Sequence, residues 1–343
     1  MMPLGAKHGD VPALPGRLAT MARRFAHGSR RSGISGQLLA LAIVFAVFTV
    51  GTGGRFLSIP NLQVMLNVFG IPAILAIGLH QAIVLGAIDL SVEGIAAVCI
   101  VIVGLGVRNK YNSGDIGLWI IPVVVLTGAL AGFVNGLVIT RLRIPSFITT
   151  LGISWTLYGL AVYVNKATTV PLLDDRIQRF VNGRVAGVPN IGLLALAMTV
   201  AVQVLEDRTR FGRYLYAMGG DELLAKQAGV RVDRVKLQVF TLAGAIYGLC
   251  ALFLAARLGS AHPRSGSDTL FPAVTAVAVG GVALTGGVGG AKNAMLGALI
   301  VTALNNGLIL MQVNPFIQQA VNGVVLIVAV AATMDRSKLG FVK

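Results

Sequence analysis

Apolar stretches, all but one uncharged and most of them long enough to cross a bilayer at about 20 residues per helix, return nine times along this chain. They lie near residues 37–54, 62–85, 92–107, 118–140, 147–164, 188–205, 237–256, 293–311 and 316–334. Only 12% of the 343 residues are charged, against roughly a quarter in an average soluble domain, which excludes a soluble multidomain enzyme. Ala, Val, Ile and Leu are interleaved with 43 glycines, and aromatics make up only 6%, as in closely packed transmembrane helices. The fold class read from this is all-α, a polytopic membrane protein of about ten transmembrane helices.

The tenth helix is a matter of parity. Residues 271–286 are apolar but short and rich in glycine, so they suit either a tilted span or a re-entrant hairpin. With the amino terminus inside, nine spans would leave Arg336, Lys338 and Lys343 outside, whereas ten return them to the cytoplasm. On ten spans nineteen of the 28 Lys and Arg residues fall on inside segments, and the positive-inside rule is obeyed. Residues 1–36 then form a basic cytoplasmic tail, 37–335 the transmembrane domain with a cytoplasmic segment at 206–236, and 336–343 a second cytoplasmic tail. No small-residue cleavage site follows the first span, which is therefore read as uncleaved.

The net charge of +15 does not point to nucleic acid, because the basic residues cluster at the ends of apolar runs and form no stripe interleaved with aromatics. Cys99 and Cys250 sit inside apolar stretches as small hydrophobes, and the four histidines are too scattered to suggest a metal. His80 alone is intramembrane, and a satisfied structural role fits it better than a solute contact.

Several local features carry mechanics. Gly128, Gly132 and Gly136 recur every four residues, a face that lets a neighbouring backbone approach closely, with the amide of Asn135 beside it. The run GGVALTGGVGG at 280–290 is not a phosphate loop, since no GxxxxGK followed by Ser or Thr is present; it reads as tight packing or a break in the membrane. In IDLSVEG, residues 88–94, Asp89 and Glu93 stand between apolar spans, where an unpaired charge costs on the order of 3 kcal/mol. Asp89 or Ser91 can cap the next helix with Glu93 in its first turn, or the carboxylates can serve solute or proton passage.

The segment 209–240 has the punctuation of a short surface helix followed by a span. Asp221 is an N-cap, Glu222 occupies the first turn, Leu223, Leu224 and Ala225 give an apolar side, Lys226 suits the last turn and Gly229 fits C′. Asp233 can cap the helix that follows. A two-turn helix is marginal alone in water. It must dock either on its own bundle or on a partner, and physics alone leaves both open.

IDLSV (88–92), NGLVITRLRIPSFITTLG (135–152), TRFGRYLYAMGG (209–220), GVRVDRVKL (229–237), GGVALTGGVGG (280–290) and NNGL (305–308) occur in order along the chain. Together they resemble the permease subunit of an ATP-binding cassette importer of the ribose and related sugar class, over about residues 50–335. The resemblance implies a bacterial inner-membrane, multi-pass protein with both termini cytoplasmic. It also implies three partners: a cytoplasmic ATPase subunit, a periplasmic or lipid-anchored solute-binding protein, and a second permease chain. No cofactor belongs to this chain, ATP being bound by the partner subunit, so the chain is a transport subunit and not an enzyme.

The resemblance further implies that residues 221–228 form the coupling helix seated in the ATPase subunit, with Asp221, Glu222, Leu223, Leu224, Ala225 and Gly229 its functional positions. Leu223 and Leu224 depart from the small residues usual there. So do Ala87 and Glu93, where Gly commonly flanks IDLSV, and Leu270, Phe271 and Pro272, where Glu and Asp are common; the solute is accordingly left open among sugars, polyols and sugar derivatives. Gln81, Asp89, Asn135, Asn305 and Asn306 are the candidates for the pathway lining. The competing expectations are an ion-coupled secondary transporter using Asp89 or Glu93, and a membrane-embedded transferase, which would want a polar catalytic cluster.

Overall fold

The computed structural model describes residues 34–333 apart from Asn112; nearly all of the predicted basic tail, and the carboxyl-terminal tail, lie outside the described residues. These residues form thirteen α-helices: α1 (Ser35–Gly51), α2 (Ile59–Val84), α3 (Val92–Gly106), α4 (Ile120–Arg141), α5 (Ser146–Asn165), α6 (Asp175–Asn182), α7 (Asn190–Arg208), α8 (Arg210–Gly220), α9 (Glu222–Gln227), α10 (Val232–Leu258), α11 (Leu270–Val279), α12 (Ala291–Leu310) and α13 (Pro315–Thr333). The few strands are two-residue bridges, Val170–Pro171 with Ser260–Ala261 and Arg184–Val185 with Val188–Pro189.

Helix is the only economical choice for such runs, because a backbone in lipid must satisfy its own donors and acceptors. Seven helices are long and apolar enough to cross a membrane, and α1 and α3 are apolar but shorter. The stretch at 271–286 contributes α11, whose ten residues rise only about 15 Å, half of a hydrocarbon core. Beside the expectation of about ten transmembrane helices stand seven full-length helices, the two shorter apolar ones and the short α11. α11 stops where Gly281 adopts φ +79 and the chain turns away through the glycine run.

The long central helix α10 organises the bundle, its buried residues including Phe240, Tyr247 and Phe253. Its contact with α4 is the one the glycine ridge foresaw. A Cβ at Gly132 would stand 2.0 Å from the Phe240 carbonyl oxygen, and one at Gly128 would stand 2.2 Å from that of Gly244. Large apolar side chains such as Leu126 and Leu130 on α4, Trp155 and Tyr163 on α5, and Ile327 and Val328 on α13 face outward, as lipid-facing side chains do.

α3 and α11 both begin inside the bundle. Gly94, in the first turn of α3, donates its N–H to Ser154 Oγ near the middle of α5, and Asp89, just ahead of α3, meets Tyr247 near the middle of α10. At the start of α11, the Leu270 N–H donates to Glu93 Oε1 at 3.4 Å. α2 and α10 run in opposite directions, Gly78 lying against Tyr247 and Cys250 Sγ reaching the Ile71 carbonyl.

Candidate functional site

Two groups of predicted residues come together in the structure, one on the surface and one in the core. On the surface, α9 is a six-residue helix ended as its sequence predicts. Asp221 Oδ1 accepts from Leu224 N at 2.9 Å, closing the amino end. At the carboxyl end Val230 N donates to the Ala225 carbonyl at 3.0 Å across Gly229, which sits at φ +86 where a side chain is disfavoured. Asp233 does not cap α10; the N-cap position is Arg231, and Asp233 lies in the first turn, where its charge still suits the helix dipole.

The two faces of α9 divide its residues. Ala225 is 5% exposed against the body, while Leu223 and Leu224 are 73% and 62% exposed. Glu222 reaches Lys236 Nζ at 2.6 Å and ties α9 to α10. The helix borders an open recess of about 790 Å³ lined by Ala87, Arg143, Glu222, Lys226, Asp233 and Lys236 among others. α9 is thus a short, charge-pinned rod that leaves two adjacent leucines exposed beside a recess.

Behind α9 the chain is fastened to the core by contacts between residues far apart in sequence. A Cβ at Gly219, at the end of α8, would stand 1.8 Å from the Val84 carbonyl oxygen, and Gly287 N donates to that same oxygen at 2.8 Å. The glycine run 280–290 is therefore wedged between α2 and α8. Glu206 joins the same place: its Oε1 lies 2.5 Å from His80 Nε2, and its Oε2 accepts from Ala291 N at 3.2 Å. Tyr216 OH donates to the Gly289 carbonyl at 2.7 Å and lies 3.3 Å from Glu206. Burial first, then the charge of Glu206, push the Tyr216 phenol up and keep it a donor. The expectation of a structural His80 meets a ring paired through Nε2 with Glu206 while its buried Nδ1 has no partner among the described residues; Glu206 and Tyr216 carried no signal of their own.

In the core, Asp89 is 1% exposed and fully engaged. Its Oδ1 accepts from Ser91 N at 2.9 Å and Ser91 Oγ at 2.6 Å, and its Oδ2 accepts from Tyr247 OH at 3.2 Å. Asn135 Nδ2 donates to Ser91 Oγ at 2.8 Å, so Asp89, Ser91, Asn135 and Tyr247 form one polar knot that fixes the non-helical entry to α3. The other predicted pathway residues are elsewhere. Gln81 is buried, and its amide donates to the Ile77 carbonyl of its own helix at 3.5 Å. Asn305 accepts from Asn322 at 2.9 Å, and Asn306 exchanges two hydrogen bonds with Asn61 at 2.9 and 3.0 Å. These amides join α12 to α13 and to α2.

Comparison with known proteins agrees with this architecture. Residues 61–330 match the family described as branched-chain amino acid transport system / permease component. The chain is 32% identical over 306 residues to a probable ABC transporter permease protein of Escherichia coli K12, covering 89% of this chain and 91% of that one. It is 33% identical to a ribose import permease of Haemophilus influenzae, covering 86% and 91% of the two chains, and 30% identical to a fructose import permease of Rhizobium meliloti, covering 94% and 91%. No solved structure matches. Sequence and length agree over most of the chain: it belongs to the family of multi-pass permease components of ATP-binding cassette importers.

Proposed function

We propose that this chain moves a sugar or sugar-like solute into the cell, as one of two permease chains, using ATP hydrolysed by a separate cytoplasmic subunit. The observation that carries this reading is α9: a helix too short to persist alone, capped at both ends, presenting Leu223 and Leu224 outward beside an open recess. Asp221, Glu222, Leu223, Leu224, Ala225 and Gly229 are assigned to seating that helix in the ATPase subunit. The α9 end of the bundle is then the cytoplasmic one, and a solute-binding protein delivers from the other side. Nucleotide belongs to the partner, and this chain transmits its closure.

The sugar class rests on the relatives, named for ribose, fructose and autoinducer 2 import. An ion-coupled mechanism through Asp89 gains no support from a carboxylate whose two oxygens are already taken by Ser91 and Tyr247. The test is reconstitution of the permease with its companion ATPase in vesicles. Uptake is expected to require ATP, the ATPase and the binding protein together. A permease that concentrates sugar on its own, driven by an ion gradient, ends the proposal.

A further inference from the structure

The amino end of α12 has no cap of its own. Gly290, at the N-cap position, brings no side chain, and the run ahead of it holds Gly281, Gly286, Gly287 and Gly289 at positive φ. The first two N–H groups of the helix are taken instead by α7: Glu206 Oε2 accepts from Ala291 N at 3.2 Å, and Gln203 Oε1 accepts from Lys292 N at 3.1 Å. Positions 203 and 206 lie about one turn apart on α7, so one face of that helix closes the end of another. A Cβ at Gly290 would stand 3.1 Å from Tyr216 OH, 3.3 Å from Glu206 Oε2 and 3.4 Å from Gln203 Oε1, three oxygens from two helices gathered round one glycine.

α8 is laid along the same run. Tyr216 OH donates to the Gly289 carbonyl at 2.7 Å, and Gly219, three residues on and on the same face, abuts Gly287, where a Cβ would come 2.5 Å from the amide nitrogen. Leu215 and Met218 beside them are buried. α8 ends at Gly220, and Asp221 alone separates it from α9. A displacement of α9 therefore reaches α8 through one residue, and α8 is held to the approach of α12 at two points a turn apart. Rigid elements joined by hydrogen bonds and close packing are the kind of connection that carries a displacement between distant sites.

We propose that Gln203, Glu206 and Tyr216 are positioning residues for transport, fixing the first turn of α12 to α7 and α8 so that a shift of α9 is delivered to α12. Their role runs through α12 and requires no contact with solute or nucleotide. The proposal rests on the importer reading. A static brace and a transmitting one differ in what their loss does: losing a brace weakens every response of the assembled importer together, whereas losing transmission silences α12 and spares α8.

The experiment uses the full-length permease with its companion ATPase in nanodiscs, an environment-sensitive dye being attached at Ala217→Cys on α8 or at Lys292→Cys on α12. Both positions are exposed, and the native Cys99 and Cys250 are buried out of reach of the dye. ATP with vanadate is expected to shift the emission of both dyes. In Tyr216→Phe, which removes one hydroxyl, the shift at 292 is expected to fall at least threefold while that at 217 stays within twofold. Tyr214→Phe, on the same helix at a 40% exposed position, is expected to change neither. A shift at 292 that stays within threefold, a parallel fall at both dyes, or an equal loss in Tyr214→Phe overturns the proposal. Should Tyr216→Phe fail to assemble, Gln203→Ala is judged by the same thresholds. A wild-type complex in which neither dye responds ends the importer reading itself, whereas a response at 217 above silence at 292 leaves that reading and removes only this inference.

Discussion

Replacement of Gly229 separates the geometry of α9 from everything else the segment does. A Cβ built at Gly229 meets no atom within 4 Å, so substitution there creates no clash with the body of the protein. The whole penalty comes from φ +86, a region that disfavours L-residues by about 1–2 kcal/mol. That penalty falls on the turn carrying the Val230 N–H to Ala225 carbonyl bond, which ends the helix. Since about 1.4 kcal/mol is a factor of ten in an equilibrium, the equilibrium constant for the correctly ended α9 should fall roughly 5- to 30-fold, the upper limit of the loss in its population. Binding-protein-stimulated ATP hydrolysis, measured in nanodiscs with the companion subunits, should fall about fivefold in Gly229→Ala and toward 30-fold in Gly229→Val, where the β-branch adds to the strain. Gly229→Asn should fall least, because Asn tolerates the left-handed region. Gly220→Ala is the control: it is nine residues away, also meets nothing within 4 Å and lacks a positive φ. Membrane insertion should be unchanged throughout. Gly229→Val with hydrolysis within twofold of wild type, or a ranking in which Asn is worse than Val, refutes the assignment of α9 as the coupling element.

Three further outcomes follow from the packing and the surface charges. Gly132→Ala should lower the unfolding temperature in detergent by an amount corresponding to about 1–3 kcal/mol or more, because its methyl group would meet the Phe240 backbone; Gly152→Ala, with open space around it, should not. The Asn61–Asn306 amide pair should show a coupling of about 0.6–1.7 kcal/mol in a double-mutant cycle with Leu at each position, and a coupling of zero would mean the two amides do not hold α2 to α12. Asp174, ahead of α6, is pushed upward by burial, but the hydrogen bonds and charge of Arg176 outweigh this and hold its carboxyl below the ordinary range. A carboxyl depressed in the folded state stabilises above its unfolded pKa of about 3.9, and that contribution is lost as pH falls through the folded value. The unfolding-temperature gap between wild type and Asp174→Asn, small because Arg176 is 54% exposed, should therefore be present at neutral pH and close in acid; a gap that widens in acid contradicts the sign.

What could be read from the residues was local in sequence. The N-cap at Asp221 and the terminating Gly229 are each complete within a few positions, and the helix between them appears within a residue of where those signals place it. The spacing of Gly128, Gly132 and Gly136 likewise needs only one helix to be recognised, and only the identity of its neighbour, α10, had to come from the fold. The count of spans was less legible for the same reason. A sum of apolar residues does not ask whether they are helical, so hydropathy left 271–286 open between a tilted span and a re-entrant hairpin, and its helix ends at Val279.

Polar residues in the membrane were visible as costly but not as partnered, because each partner lies far along the chain. Tyr247 is 158 positions from Asp89, Glu206 is 126 from His80, and Asn61 is 245 from Asn306. Treating Gln81, Asp89, Asn135, Asn305 and Asn306 as one lining followed from residue type, and type does not say which way a helix is turned. In the structure Asp89 and Asn135 meet at Ser91, Gln81 bonds its own helix and Asn305 and Asn306 bond Asn322 and Asn61, while Gln81 Oε1 and Asn135 Oδ1 stay buried without a partner among the described residues. Glu93, Arg264, Trp155 and Tyr158 line a separate cavity on the flank of the bundle, at the start of α3 and beside α5. A discontinuous helix has its signal in the chain that precedes it, where Asp89 fixes the turn into α3, and the consequence of that turn is a cavity whose walls are 171 positions apart in sequence, from Glu93 to Arg264.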